Sequence, residues 1–470
     1  MRRHLRLAIA TAISLGFGCS ANAESLLLRG GLVWDGTGAE ASQVDVLIEE
    51  DRIVGIGSAL EVPRDATILD VAGQWVMPGL IDSHVHLTSV PGAAYREESD
   101  AEILEKIKYQ LRSYLACGVT TVLDTGIQLE HAERLVDALE SGALVGPRLE
   151  VLGPLLGPPN GYPEVIVPDL PSFRTPDDLA TAMDRVRALG GAGIKVPLEE
   201  GFVGRFWNIH DASTRDEITR LASERELPIF VHAMSPREYT IGLDMGASVF
   251  VHPLDRFSRK VARRLARERV TVMSTISIYD NFRYVHRPAM LDDEALRAVV
   301  HADVLATAKD PAARRAYQRA VISLAPPLLP APLRALVYYG LDGEAPVAAR
   351  VRGTKRRLRR LHASGVPIVL GSDAGNWYIL PFAFHGIETR FEFELLADAI
   401  GAEEALLSAT IRGAELLNLE NEVGTIEVGK RADLVVIDGR PLNNPKDLWN
   451  VAWTIQSGQA QTPSEWMRAN

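Results

Sequence analysis

The sequence predicts an α/β fold, a (β/α)8 TIM-like barrel with a small β-sandwich domain formed by both termini. Three observations predict it. Eight short apolar runs in the middle of the chain alternate with helical patterns, and the two ends read instead as short alternating strands. The residues capable of metal or proton chemistry fall where those apolar runs stop. At 470 residues, with 47% hydrophobic and 24% charged side chains, the chain can bury a large core.

Residues 1–23 stand apart from the fold. "MRRHLR" is a basic opening, "LAIATAISLGFG" an apolar stretch, and "ANA" ending at Ala23 a small-x-small cleavage signature. They read as a secretory signal peptide cleaved after Ala23, which places the mature protein in the periplasm or outside the cell. Lipid attachment at Cys19 is disfavoured, because "GFGC" lacks the aliphatic residue that opens such a site. Losing the three arginines of this segment moves the formal charge from −11 to −14, an acidic balance that argues against a nucleic-acid surface. The mature chain keeps only Cys117, so no intramolecular disulfide can form and stability must come from the core. No later stretch is long and apolar enough to span a bilayer.

Residues 24–77 carry "LLLRGGLVWDGTG" and the hairpin-like "QVDVLIEEDRIVGIGSAL". Residues 421–470 carry "GTIEVGKRADLVVIDGRPL", of the same texture, so both ends are assigned to one composite β-sandwich domain. Residues 78–420 form the barrel. Its strands are "GLIDSHVHL", "GVTTVLDTG", "PRLEVLGPLL", "GAGIKVPL", "LPIFVHAM", "ASVFVHPL", "VTVMSTIS" and "VPIVLGSDAG". Helical patterns such as "DDLATAMDRVRALG" and "TRDEITRLASERE" lead into them, the order expected of parallel pairing. Residues 284–362, between the seventh and eighth strands, show apolar positions at helix spacing and read as a helical insertion over one face. The basic run "RVRGTKRRLRRLH" within it reads as a helix that turns Leu358 and Leu361 inward and leaves its charges in water.

The chemistry starts at "VMPGLIDSHVHL". Residues two apart on a strand share a face, so His84 and His86 present two imidazoles side by side. Alone this decides nothing, since about a quarter of chains with this histidine content would carry one His-x-His by chance. The other candidates decide it. Lys195 ends "GAGIK", His232 ends "PIFVH", His252 ends "SVFVH" and Asp373 ends "IVLGSD". Each lies at the C-terminal end of a barrel strand, the rim where barrel enzymes keep their chemistry. One strand-end histidine is ordinary packing, but six such residues on five strands converge on one rim. Imidazole and carboxylate suit divalent first-row metals, and four histidines with an aspartate exceed one tetrahedral zinc. Lys195 is the anomaly, because an ammonium cannot bind a cation. It must be deprotonated, modified, or no ligand at all.

"PGLIDSHVHL", the strand-end Lys, His and His, and "GSDAG" resemble the amidohydrolase superfamily of metal-dependent hydrolases, and "GKRADLVVIDGRPL" resembles that family's closing strands. The resemblance implies two divalent metal ions, zinc before others, with His84 and His86 on one and His232 and His252 on the other. It also implies a carbamylated Lys195 bridging them, which resolves the anomaly, and Asp373 holding the first metal and managing protons. Within the superfamily the chain is most similar to imidazolonepropionase-like proteins, Xaa-Pro dipeptidases and related carboxypeptidases. "GVTTVLDTG", the "VHA" and "VHP" strand ends and "FHGIETRFEFELL" carry that likeness. Two departures keep substrate identity open: Met234 stands where such proteins tend to have a second histidine, and Tyr162 where they tend to have one after strand three.

The activity implied is hydrolysis of an amide C–N bond, in a dipeptide or N-acyl amino acid, by a metal-bridging hydroxide with Asp373 as proton shuttle. Arg205, Arg237 and Tyr239, on loops after strands four and five, could clamp a substrate carboxylate, with Tyr162 and His385 as further contacts. A lactonase or phosphoester hydrolase could use the same ligands. A mononuclear deaminase is disfavoured by Lys195, and a non-catalytic binding homologue by the presence of all six ligands. The expected partner is a small-molecule substrate, and the chain is compatible with a homo-oligomer.

Overall fold

Eight parallel strands run through the middle of the chain in the computed structural model, which describes residues 25–469 apart from 163, 166–169, 203–204, 324–329, 331–332, 334–342 and 377–379. The leader assigned to residues 1–23 lies outside the described residues. Leu80–Val85, Val119–Asp124 and Arg148–Val151 pair in one sheet; Ile194–Pro197, Ile229–His232, Val249–Phe250, Thr271–Met273 and Ile368–Val369 pair in another. The two sheets meet at both edges. Val85 bridges in parallel to Ala374 and Leu155 to Lys195, with Ser83 N donating to Leu370 O at 3.0 Å and Leu156 N to Lys195 O at 2.8 Å. The eight strands therefore follow one another around a barrel. Leu80–Val85 and Val119–Asp124 are buried at every position, as parallel strands covered on both faces must be.

The helices that return the chain are started by side chains the sequence supplies. Ser99 with Glu102, Thr175 with Asp178 and Ser235 with Glu238 form reciprocal caps at the first turns of Asp100–Ala116, Pro176–Ala188 and Pro236–Asp244. The cap at Ser235 matters for the rim: it begins a helix three residues after His232, and Glu238 also takes the Met234 N–H at 2.8 Å. That loop is short and tied.

The segment between strands seven and eight is helical, as its apolar spacing predicts, but it starts earlier than 284. Ser277–Asp280 already turns as helix, with Ser277 N donating to Glu392 Oε2 at 2.6 Å; that tertiary partner is invisible in the local sequence. Glu344–His362 buries Val347, Val351, Thr354, Leu358 and Leu361 and leads into strand eight as a barrel crossover helix does. Arg352, Arg356, Arg359 and Arg360 on it are exposed. Among the described residues no helix is long and apolar enough to cross a membrane.

Both ends of the chain share one eight-stranded sheet. Leu434–Ile437 runs antiparallel to Trp75–Pro78, setting Val435 opposite Met77, and Trp75–Pro78 also pairs in parallel with Ser25–Val33. Its core gathers Leu26, Leu28, Val46, Ile48, Ile53, Val76, Leu434, Val436 and Ile455. Gly79 then hands the chain into the first barrel strand. A Cβ there would lie 2.1 Å from Thr120 Oγ1, so this glycine lets Leu80–Val85 lie flush against its neighbour.

Candidate functional site

The first strand delivers both of its histidines to the rim. His84 is fully buried, and its Nδ1 lies 3.2 Å from the Val251 carbonyl oxygen. A carbonyl only accepts, so Nδ1 carries the proton and Nε2 carries the lone pair. That lone pair faces Asp373 Oδ1 at 3.4 Å and Lys195 Nζ at 3.3 Å. His86 Nε2 stands 3.2 Å from the same carboxylate oxygen. Its ring is packed so closely on Gly126 that a Cβ there would sit 2.9 Å from it.

Strands five and six add two more imidazoles. The His252 ring centroid lies 5.1 Å from that of His84 and 4.6 Å from that of His232. Its Nδ1 meets Thr275 Oγ1 at 3.0 Å, which leaves Nε2 toward the centre. His232 is held the other way round: Nε2 meets Glu199 Oε2 at 2.7 Å, and the buried Nδ1 makes no hydrogen bond among the described residues. Tyr162 stacks on its face at 4.2 Å and 19°. Burial pushes the His232 imidazole down to about 3 and holds His84 and His252 well below the usual range, so these rings are neutral.

Asp373 stands four residues beyond strand eight, Ile368–Val369, with φ +60°, a left-handed backbone. Asp373 N donates to the His84 carbonyl at 2.8 Å, and Oδ2 accepts from Asn376 Nδ2 at 2.7 Å. Oδ1 is buried without an aligned hydrogen bond, close as the two imidazoles are. Lys195, from strand four, is 2% exposed and donates to Thr125 Oγ1 at 3.0 Å. Burial lowers its amine to about 8, although Asp373 and Asp124 oppose that.

The structure brings together all six strand-end residues of the sequence reading. Of the five substrate contacts, Tyr162 lies at the site through its stack on His232. Two others, Tyr239 and His385, need correction. Tyr239 is fully buried, stacks on Phe250 at 3.8 Å and gives its hydroxyl to the His252 carbonyl, so it braces the site from behind. His385 has Nε2 on Ser89 O and Nδ1 on Tyr114 OH, each at 2.9 Å, which leaves neither nitrogen for a ligand. The Arg237 side chain is 69% exposed and pairs with Glu200. The Arg205 side chain lies outside the described residues.

Sequence reasoning missed the residues that orient these groups. Asp82 ties the site together, accepting from His84 N at 3.2 Å, Ser372 N at 2.9 Å and Thr389 Oγ1 at 2.7 Å. Asp124 takes Leu87 N at 2.7 Å and Gly126 N at 2.9 Å. Glu199, Thr125 and Thr275 complete the set. Asp82 and Asp124 lie within the first two strands, and Thr125, Glu199 and Thr275 follow strands by one or two residues, so a scan of every polar residue in and just beyond each strand would have found them.

The sequence model of the Amidohydrolase family matches residues 75–244 and 294–460. The dihydroorotase of Mycobacterium leprae (strain TN) is 33% identical over 140 residues, covering 27% of this chain and 31% of that protein. The present chain thus aligns with about a third of that curated relative's length. A solved Xaa-Pro dipeptidase with methionine bound in its active site superposes with a TM-score of 0.70 and 21% identity, over 93% of this chain and 100% of the other. Molinate hydrolase superposes with a TM-score of 0.65 and 20% identity, over 95% and 97%. At these identities the solved structures share the fold.

Proposed function

The chain belongs to the amidohydrolase family, and from that premise and the geometry of the rim we propose that it is a binuclear metal-dependent hydrolase cleaving an amide C–N bond in a small substrate of dipeptide or N-acyl amino-acid type. One observation carries the metal reading. The His84 Nε2 lone pair and an unprotonated Asp373 Oδ1 face each other at 3.4 Å in a buried site; the Lys195 amine reaches Nε2 at 3.3 Å, while Oδ1 is left without an aligned hydrogen bond, a buried anionic oxygen that calls for a cation beside it. Ligand atoms of His84, His252 and Asp373 all lie within 4.8 Å of one another. The donor set, imidazole nitrogen and carboxylate oxygen, suits zinc.

His84, His86 and Asp373 would hold one ion, and His232 through Nδ1 with His252 through Nε2 the other. Lys195 would join them as a carbamate. Among the described residues its amine meets a hydroxyl and an imidazole at hydrogen-bond distance, with the Asp373 and Asp124 carboxylates acting on it from farther off. Divalent ions held there supply a deprotonated water at neutral pH and polarise the scissile carbonyl. The Asp373 carboxylate, at the centre of the site, would receive the proton of the attacking water and return it to the departing nitrogen. An amide nitrogen leaves poorly until protonated, so this transfer is required. Tyr162, stacked on His232, would wall the site on the strand-three side. A dipeptidase among the structural relatives favours the amide reading over a lactone or a phosphoester. Export after cleavage at Ala23 belongs to the same proposal and rests on the leader's pattern.

The test is a screen of protein prepared with zinc and bicarbonate against dipeptides, N-acyl amino acids and lactones, with elemental analysis alongside. The expected result is turnover of amides and two zinc ions per chain. A content that stays at one ion under those conditions defeats the binuclear reading.

A further inference from the structure

We propose that Glu199 is a positioning residue for the metal centre: by accepting the Nε2 proton of His232 it leaves the Nδ1 lone pair as that ring's one means of binding a cation. This rests on the metal reading above and deepens it. Glu199 lies four residues beyond Lys195, on the loop that leaves strand four, and Ile194–Pro197 pairs in parallel with Ile229–His232 so that Pro197 stands opposite His232. That register places a strand-four carboxylate beside a strand-five imidazole. Glu199 Oε2 lies 2.7 Å from His232 Nε2, within hydrogen-bond reach.

The comparison with the neighbouring rings carries the point. His84 and His252 are each held at Nδ1, by the Val251 carbonyl and the Thr275 hydroxyl, and so offer Nε2. His232 is held at Nε2 and must offer Nδ1. With a proton on Nδ1, the ring would bury an N–H with no acceptor among the described residues; with a lone pair there, it is ready for a cation. Tyr162 fixes the tilt of the ring by stacking, and Glu199 fixes its rotation in plane. The Glu199 side chain is 15% exposed.

The experiment uses the full chain stripped of metal, as wild type, Glu199→Ala and Glu199→Gln. Zinc is titrated against a competing chelator, and the histidine ring nitrogens are read by long-range nitrogen–proton correlation, His232 being assigned by the loss of its signals in His232→Asn. The expected wild-type ring is the Nε2–H form. Glu199→Ala should weaken one of two zinc sites about 10–100-fold and leave the other unchanged, with the His232 signals shifting toward a mixture of forms. Glu199→Gln keeps an oxygen that accepts from Nε2–H, so it should hold the tautomer and restore most of the affinity. Unchanged zinc affinities and an unchanged tautomer in Glu199→Ala overturn the proposal. So does a Glu199→Gln protein that keeps the tautomer yet binds zinc as weakly as Glu199→Ala, because Glu199 would then act as a ligand or a charge. A wild type that binds no zinc fails the metal reading itself, and the tautomer comparison still decides whether Glu199 sets the ring.

Discussion

In the terminal sheet, Leu28, Val46, Ile48, Val76, Leu434 and Val436 pack against one another with their strands in register. At the rim of the barrel, four histidines, a lysine and an aspartate are also buried, and the lone pair of one ring is turned on a carboxylate. The first region removes apolar surface from water, which stabilises by about 25 cal/mol per Å². The second strips water from groups that would rather keep it, and that costs free energy unless something binds there. The contrast separates where this fold generates stability from where it gives stability up for chemistry. Mutations should sort the same way: rim changes alter rate and metal content, and sheet changes alter melting.

The largest effect is expected at Asp373. Asp373→Asn keeps the size of the side chain but cannot accept the proton from the attacking water, so kcat should fall about 10²–10⁴-fold with the fold intact. Measuring rate against metal content separates loss of the shuttle from loss of a ligand. Wild-type turnover with both metals retained would remove Asp373 from the mechanism and blur the contrast.

Lys195→Ala comes next. It should lose one metal and most of the activity, and short carboxylic acids should restore part of both by occupying the vacated bridging position. Carbamate formation joins a neutral amine to carbon dioxide and releases a proton. Burial holds this amine at about 8, below its usual 10.5. At fixed dissolved carbon dioxide, reconstitution with zinc should therefore quicken as pH rises toward 8 and level off above it. A pH-independent rate, or a fully active Lys195→Ala, would take the lysine out of the site.

Leu28→Ala probes the other region. Leu28 is 1% exposed in the sheet core, and removing such a side chain typically costs about 2–5 kcal/mol. Denaturant unfolding should show that loss while kcat and metal stoichiometry of the folded protein stay at wild-type values. A change in metal content would mean that the sheet and rim are energetically one unit.

How much of this was legible in the sequence follows from the same contrast. Strand ends were legible where the apolar run stops at the residue that matters, as "PIFVH" stops at His232 and "SVFVH" at His252. The shared terminal sheet was legible because both ends alternate with period two. The partners that fix each ring were not, because Glu199 meets His232 and Thr275 meets His252 only through the lateral pairing of strands far apart in sequence. Tyr239 was misread although its position could have been derived. A helix beginning at Pro236 buries Glu238, Tyr239, Gly242 and Leu243, a spacing that turns Tyr239 inward and Arg237 out. His385 was misread for a reason no local pattern reveals, since Ser89 and Tyr114 reach it from other elements.

The smallest effect is expected at Arg237. The sequence placed this guanidinium on the loop after strand five, where it could hold a substrate carboxylate, but its side chain is 69% exposed and paired with Glu200. Exposed pairs of this kind are worth about 0–1 kcal/mol, so Arg237→Ala should leave stability nearly unchanged. It should also leave kcat and KM for an N-acyl amino acid at wild-type values, because a charge screened by water and already matched has little attraction left for a distant anion. The informative measurement is KM for one substrate with its carboxylate free and again with it amidated. A rise in KM for the free acid alone, with unfolding unchanged, would show that the Glu200 pair opens when substrate arrives. Arg237 would then belong to the region that binds rather than the region that merely faces solvent, and the boundary drawn here between rim and surface would have to move outward by one helical turn.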